Sequence, residues 1–221
     1  MIPKTIHYCW FGPKEKPKEF LRLLQTWRNH NPDYKIIEWN ETNFDVDMCV
    51  YSREAYLTAN YAHVSDVCRL YVLLTQGGVY LDTDVEVLSS FDSFLKYESF
   101  VCEEHDGIGT GVIGAVKDAK WLKLFMEYYK SRHFINMWGH PNRTPNTQIL
   151  TSIILPQLST HERPTIFPTE YFCAKDWFSG KVSVTDNTVC IHHYVASWKR
   201  RKTLRQRISI IISGLRIRYF Q

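Results

Sequence analysis

The segment from Gly77 to Glu86 constrains this chain more than any other. Two glycines open a short β-rich strand, and the strand ends in three carboxylates spaced by two, those of Asp82, Asp84 and Glu86. Side chains two apart along an extended strand share a face, so the three carboxylates are predicted to point the same way. Like charges on one face repel, and the pattern therefore predicts a bound cation or a nearby cationic group.

The chemistry of this segment favours one kind of ligand. Hard divalent ions such as Mg²⁺ or Mn²⁺ bind carboxylate oxygens together with substrate phosphates, and open α/β sheets bind ligands at the carboxyl ends of their strands. The segment therefore predicts a metal and diphosphate site centred on Asp82 and Asp84. Tyr80 and Thr83 are adjacent substrate-binding candidates, and Glu86 is a supporting residue. The alternative is an exposed strand face with acids at its end.

Composition limits the size of the domain and indicates its cellular compartment. With 221 residues, 44% of them hydrophobic, the chain is long enough for one domain of ordinary size and a small appendage. Its six cysteines are scattered without a CxxC pair, which predicts free buried thiols in a reducing cytosol. The first residues lack a signal-peptide pattern, so a cytoplasmic location is expected.

Strands alternate with helices along the sequence, which predicts an α/β fold with a largely parallel sheet. Apolar, β-rich runs predict strands over 2–11, 34–39, 79–82, 98–103, 108–116, 165–172 and 189–194. Helical spacing of apolar residues predicts helices over 17–29, 62–76, 120–131 and 146–155. No break in composition indicates a second domain before residue 199.

Three further residues are candidates for the site. Asp66 and Arg69 stand three apart on one face of the helix over 62–76, either as a surface ion pair or as part of the site. Trp10 lies at the carboxyl end of the first strand, where its ring either stacks on a flat group such as a nucleobase or belongs to the core.

The run from His192 to Trp198 precedes the C-terminal tail. Adjacent histidines at a strand end point in opposite directions, so at most one of them should face a metal, and His193 is taken as the candidate ligand. Ser197 and Trp198 have a hydroxyl and an indole N–H that could bind a phosphate oxygen. The alternative is that both histidines are ordinary structural residues.

The charge is unevenly distributed. Residues 199–221 have eight Lys or Arg and no acid, which leaves 19 basic and 23 acidic side chains in residues 1–198. The sequence thus predicts a mildly acidic domain over 1–198 and a basic amphipathic tail over 199–221. Such a tail suits an anionic membrane surface, and its apolar part is too short to span a bilayer. Nucleic-acid binding and a plain surface helix are the alternatives.

Together these segments resemble glycosyltransferase family 32, the bacterial capsular and O-antigen sugar transferases related to yeast initiating mannosyltransferases. The chain is also similar in its core to the glucosylating domains of large clostridial toxins, without their extra helices. One departure is Gly109-Thr110-Gly111, where members of the family often have Asn-Thr-Gly. The resemblance follows the order and spacing of the segments 2–12, 36–40, 65–69, 77–86 and 192–198.

The resemblance implies a GT-A fold, a nucleotide-sugar donor, a divalent metal (Mn²⁺ or Mg²⁺) and retention of the anomeric configuration. By motif, Trp10 would stack on the base, and Asp66 and Arg69 would hold the donor sugar and diphosphate. Asp82 would contact ribose or sugar, and Asp84 would ligate the metal.

The resemblance also implies that Ser197 and Trp198 touch metal or phosphate, and that Gly111 borders the substrate. The expected reaction moves a hexose, with galactose favoured, from a UDP-sugar to a polyprenyl-diphosphate-linked oligosaccharide in O-antigen or capsule synthesis. The expected location is the inner face of the bacterial plasma membrane, with no nucleic-acid partner. The alternatives are a protein-glucosylating effector and an inactive sugar- or membrane-binding module. Catalysis is assigned to Asp82, Asp84, Arg69 and Trp198.

Overall fold

The structure, a computed structural model, describes residues 1–105, 107–195 and 204–220. Its strands are β1 (Thr5–Cys9), β2 (Lys35–Trp39), β3 (Gly78–Leu81), β4 (Val85–Val87), β5 (Ser99–Glu104), β6 (Gly107–Ala115), β7 (Thr165–Phe167) and β8 (Cys190–His192). Its α-helices are α1 (Lys18–His30), α2 (Val50–Leu57), α3 (Tyr61–Gln76), α4 (Lys120–Lys130), α5 (Asn146–Ile149), α6 (Thr169–Phe172) and α7 (Leu204–Phe220).

Six strands form the central sheet in the order β2-β1-β3-β6-β5-β7. The pairs β1–β2, β1–β3 and β5–β7 are parallel, whereas β6 is antiparallel to both of its neighbours, β3 and β5. Five of these six strands therefore run in one direction, which confirms the expected mostly parallel α/β sheet. The strands β4 and β8 pair separately, in antiparallel orientation.

The central strand β3 is buried on both faces. Tyr80 packs in a core with residues of α2, α3 and α4, whereas Val79 and Leu81 pack in a second core with residues of α1. This alternation follows from the two-residue period of a strand. Helices therefore cover both faces of the sheet. A ligand site can form instead at the edge of the sheet where β3 has its carboxyl end.

A proline shortens the predicted strand over 165–172. Strand β7 ends at Phe167, and α6 begins directly after Pro168. Pro168 has no N–H to continue the ladder, and its ring fixes φ near the value that begins a helix.

The predicted helix over 146–155 is helical throughout but changes type along its length. Helix α5 ends at Ile149, a wider π-helical turn follows over Leu150–Ile154, and a 3₁₀ turn begins at Leu155. Pro156, directly after the predicted end, lacks the N–H that an α-helix continued past residue 155 would need.

The tail contains helix α7, and the predicted domain boundary at residues 198–199 lies outside the described residues. Among the helices that the structure describes, none has the length and apolar character needed to cross a membrane.

Candidate active site

A turn separates the three carboxylates of the segment from Gly77 to Glu86. Strand β3 ends at Leu81, and the Val85 N–H donates to the Asp82 carbonyl oxygen at 3.1 Å. The chain then enters β4 in the smaller sheet. The expectation that Asp82, Asp84 and Glu86 share one strand face is therefore wrong, because the strand stops before the first of them.

The structure places His192, rather than the predicted His193, beside Asp84. His192 Nε2 lies 3.2 Å from Asp84 Oδ1, whereas His193 Nε2 lies 2.8 Å from Glu86 Oε2. The reason is the register of β4 and β8, which sets His192 opposite Val85 and turns the next side chain away. His193 and Glu86 thus form a separate pair next to the site.

The guanidinium of Arg69 joins the two predicted aspartates. Its Nη2 lies 3.1 Å from Asp66 Oδ1 and 3.2 Å from Asp82 Oδ1, and the Arg69 side chain is 6% exposed. Nη1 donates to the Thr110 carbonyl oxygen at 2.5 Å, and the group lies over the Tyr80 ring at 4.7 Å. Since these partners occupy the guanidinium, Arg69 positions Asp66 and Asp82 in this structure.

Two residues that the sequence analysis missed also hold Asp66 in place through hydrogen bonds. Asn146 Nδ2 donates to Asp66 Oδ1 at 2.8 Å, and the Tyr129 hydroxyl donates to Asn146 Oδ1. On the other side of Arg69, the Tyr80 hydroxyl donates to Asp82 Oδ1 at 3.0 Å. The buried Tyr80 therefore holds Asp82 instead of presenting its ring at the surface.

Gly111 allows Asp82 and His192 to approach each other. Its carbonyl oxygen accepts the Asp82 N–H at 2.8 Å. A Cβ at this position would lie 2.8 Å from His192 Cε1 and 3.2 Å from Asp82 Oδ2. A side chain at 111 would thus separate the groups that the site brings together.

The electrostatics of the site favour charged forms of Asp84 and His192. Burial acts to raise the pKa of Asp84, but hydrogen bonds from His192 and backbone N–H groups outweigh it and lower this pKa to about 2. Burial acts to lower the pKa of His192, yet its contacts with Asp84 and Glu104 hold this pKa well above its usual value. Burial raises the pKa of Asp82, with Arg69 opposing the shift.

The residues present fit a divalent cation. One ligand atom each from Asp82, Asp84 and His192 lies within 4.8 Å of the other two. Two carboxylates and an imidazole are a donor set that suits Mn²⁺, and Mg²⁺ through the carboxylates. Asp84 and His192 would hold the ion, with Asp82 next to them, and His192 would give up its Nε2 proton on binding, because only a neutral imidazole ligates a metal.

The other predicted residues lie at the margin of this site or outside the described residues. Trp10 follows β1; its ring stacks on Phe20 at 5.7 Å, and its Nε1 donates to the Lys14 carbonyl oxygen at 2.8 Å. Thr83 is half-buried in the turn after β3. Ser197 and Trp198 lie outside the described residues, and their roles stay predictions.

Glu104 is another residue that the sequence analysis missed. It ends β5, which runs in the same direction as β3, and its Oε1 lies 3.2 Å from His192 Nδ1. An acid directly after the predicted strand over 98–103 was the available signal, since strands that run in one direction end at one edge of a sheet.

A family model matches residues 17–101 and is described as a glycosyltransferase sugar-binding region containing a DXD motif. Asp82-Thr83-Asp84 has this form. An inositol phosphoceramide mannosyltransferase 3 of Schizosaccharomyces pombe is 28% identical over 55% of the chain and 35% of its own length. An initiation-specific alpha-1,6-mannosyltransferase of Candida albicans is 29% identical over 63% of the chain and 40% of its own length. The chain thus spans well under half of these curated relatives.

Two solved structures have the same fold. A glycosyltransferase involved in glycosylation of the major capsid of PBCV-1 superposes with a TM-score of 0.52 and 12% identity, covering 86% of this chain and 94% of its own. The apo glycosyltransferase GlyE of Streptococcus pneumoniae TIGR4 gives a TM-score of 0.54 and 13% identity, covering 97% of this chain and 61% of its own. Residues 17–101 thus match a glycosyltransferase sugar-binding region with a DXD motif, and the whole chain has the fold of GT-A-type glycosyltransferases.

Proposed function

We propose that this chain is a metal-dependent, retaining hexosyltransferase of glycosyltransferase family 32. The observation that carries the proposal is the convergence of Asp82, Asp84 and His192 at the carboxyl end of β3. The family match includes both aspartates and supports a nucleotide-sugar donor. DXD glycosyltransferases of the GT-A type generally use a divalent metal, which agrees with the donor set.

The side chains around Asp84 have distinct roles in this proposal. Asp84 and His192 would hold a divalent ion, which would supply electrostatic stabilisation of the leaving diphosphate. Arg69 holds Asp66 and Asp82 in place for contacts with the donor sugar or ribose. Trp198 and Ser197 are proposed to donate to the diphosphate, and Trp10 is proposed to stack on the base.

Transfer is proposed to occur on the face of the leaving group, because the sequence offers no convincing nucleophilic carboxylate for a double displacement. The bond from sugar C1 to the diphosphate oxygen breaks, and the acceptor oxygen bonds to C1 from the same side. The acceptor proton passes to the departing phosphate oxygen. This path retains the anomeric configuration.

The proposed donor is a UDP-hexose, with UDP-galactose first and UDP-glucose and the N-acetyl forms next. The proposed acceptor is an oligosaccharide on a polyprenyl diphosphate, in O-antigen or capsule synthesis. The basic tail over 199–221, which contains no Asp or Glu, supports attachment to the inner face of a bacterial plasma membrane. Both curated relatives are named as mannosyltransferases, so GDP-mannose belongs among the donors tested.

A panel of nucleotide sugars tests this proposal. We expect release of nucleoside diphosphate from one preferred donor, only with Mn²⁺ or Mg²⁺ present, and NMR of the glycoside product should show the donor's anomeric configuration. An inverted product would overturn the mechanism. Binding of a nucleotide sugar without turnover of any donor would favour an inactive sugar-binding module, and transfer to a protein hydroxyl would favour the effector.

A further inference from the structure

A close contact between two glycines joins the C-terminal helix to the body. Gly214 of α7 is buried against Gly139, and an added Cβ on Gly214 would overlap the Gly139 carbonyl oxygen. Gly139 has a φ of +77°, a conformation that favours glycine. Arg218 Nη1 donates to the Ile135 carbonyl oxygen at 3.2 Å. The loop over 135–139 and α7 therefore form one continuous surface.

An exposed apolar stripe runs along α7 beside this contact. Three- and four-residue spacing places its members on one side of the helix: Ile208, Ile212, Leu215 and Tyr219. Ile208, Ile212 and Tyr219 are exposed, with Ile212 at 53%. Such a stripe normally faces a core, so its exposure indicates a surface that another apolar phase can cover.

The loop extends this apolar surface. Met137 and Trp138 at its tip are 61% and 70% exposed, and the Tyr219 hydroxyl donates to the Met137 carbonyl oxygen at 3.2 Å. Asn136 Oδ1 accepts the N–H groups of Trp138 and His140 and closes the turn. The two large side chains are thus presented next to the stripe of α7.

Both segments lack acidic residues. Residues 131–145 contain Arg132 and Arg143 and no Asp or Glu, and residues 199–221 contain eight Lys or Arg and no Asp or Glu. An anionic bilayer attracts this charge, receives apolar side chains in its interface and favours Trp at headgroup depth. Nucleic acid would use the same charge but not exposed aliphatic side chains such as Ile212.

We propose that the loop over 135–139 and α7 form one docking surface for an anionic lipid bilayer, with Met137 and Trp138 entering the interface beside Ile208 and Ile212. This inference deepens the membrane contact proposed for the tail and rests on it, because it adds a second anchoring segment from the body of the molecule.

The position of the loop connects this surface to the site. The chain that leaves Trp138 soon reaches Asn146, whose side-chain amide donates to Asp66 at 2.8 Å. Phe134, which directly precedes the loop, has its ring 4.9 Å from that of His63, and His63 Nδ1 lies 3.4 Å from Asp66 Oδ2. The start of the loop therefore lies near the wall of the candidate active site, which suits an acceptor held on a lipid.

Flotation of the full chain with vesicles tests the docking surface. The vesicles contain phosphatidylcholine with phosphatidylglycerol, or phosphatidylcholine alone. Trp138→Ser and Ile212→Ser are each expected to weaken binding to the anionic vesicles by about tenfold, since each removes one large apolar side chain from the interface. Leu21→Ser is the matched control, because Leu21 is 49% exposed on α1, which packs on the opposite face of the sheet.

The outcomes separate this inference from the proposal it extends. If Ile212→Ser loses binding and Trp138→Ser does not, the loop anchor is refuted and the tail contact stands. If the wild-type chain does not float with anionic vesicles, both are refuted. An equal loss of vesicle binding in Leu21→Ser would mean that adsorption is non-specific, which would refute the docking surface. If the chain does not float but binds nucleic acid saturably, and Trp138→Ser weakens that binding, the surface belongs to nucleic acid instead. Circular dichroism spectra establish that each variant is folded.

Discussion

At the residue scale, Glu104 fixes the orientation of His192. Its Oε1 lies 3.2 Å from His192 Nδ1, so that Nε2 is left to face Asp84. A side chain at position 109 would overlap the Glu104 carboxylate, so Gly109 leaves room for it. Gly109 therefore accompanies a carboxylate that occupies the space beside it.

Replacing Glu104 should weaken metal binding without removing a metal ligand. A partner on the second ring nitrogen orients a ligating histidine, and its loss typically lowers metal affinity by about 10- to 100-fold. We expect Glu104→Ala to show this loss in a calorimetric Mn²⁺ titration, and Glu104→Gln, which keeps an acceptor oxygen, to lose less. Glu103→Ala, an exposed neighbour on β5, is the control. Unchanged affinity in Glu104→Ala would refute this role.

At the element scale, His7 ties β1 to β2 and to the end of α3. Its Nδ1 accepts the Trp39 indole N–H at 3.0 Å, and its Nε2 donates to the Gly77 carbonyl oxygen at 2.9 Å. These contacts fit a neutral ring. Burial, followed by the charge of Lys35, outweighs the Gly77 hydrogen bond and lowers the pKa of His7 to about 4.

The buried His7 makes folding stability depend on pH. The unfolded chain binds a proton at this residue once the pH falls below about 6.5, whereas the folded chain does so only near 4, so stability is lost as the pH falls through this window. The loss should be about 2 kcal/mol between about pH 7 and about pH 5. Urea unfolding of wild type and His7→Gln measures it, and an equal pH dependence in the two proteins would contradict the assignment.

Some elements could be predicted from sequence because their signal is local. Helices α1, α3 and α4 and strands β1 to β3 lie near their predicted positions, since each repeats apolar residues at its own period. The turn after Asp82 and the choice between His192 and His193 depend on the pairing of β4 with β8. That register joins residues about a hundred positions apart, and no local pattern encodes it.

At the scale of the whole molecule, the site gathers residues from five distant parts of the chain. The sequence pattern predicted Asp66, Arg69, Asp82 and Asp84 as site residues, and the structure brings them together around one guanidinium and one turn. It missed Glu104, Asn146 and the histidine that lies beside Asp84, because each reaches the candidate site through tertiary packing. The sheet explains the convergence, since its parallel strands end at a common edge.

Asp84 and His192 are proposed to make this edge of the sheet a divalent-metal site. The most direct measurement is titration of Mn²⁺ into the full chain, with free Mn²⁺ followed by its electron paramagnetic resonance signal. We predict one tight site in the wild type, affinity weakened by at least about tenfold in Asp84→Asn and in His192→Asn, and wild-type affinity in His193→Asn. Wild-type affinity in Asp84→Asn, or a loss confined to His193→Asn, would contradict the account.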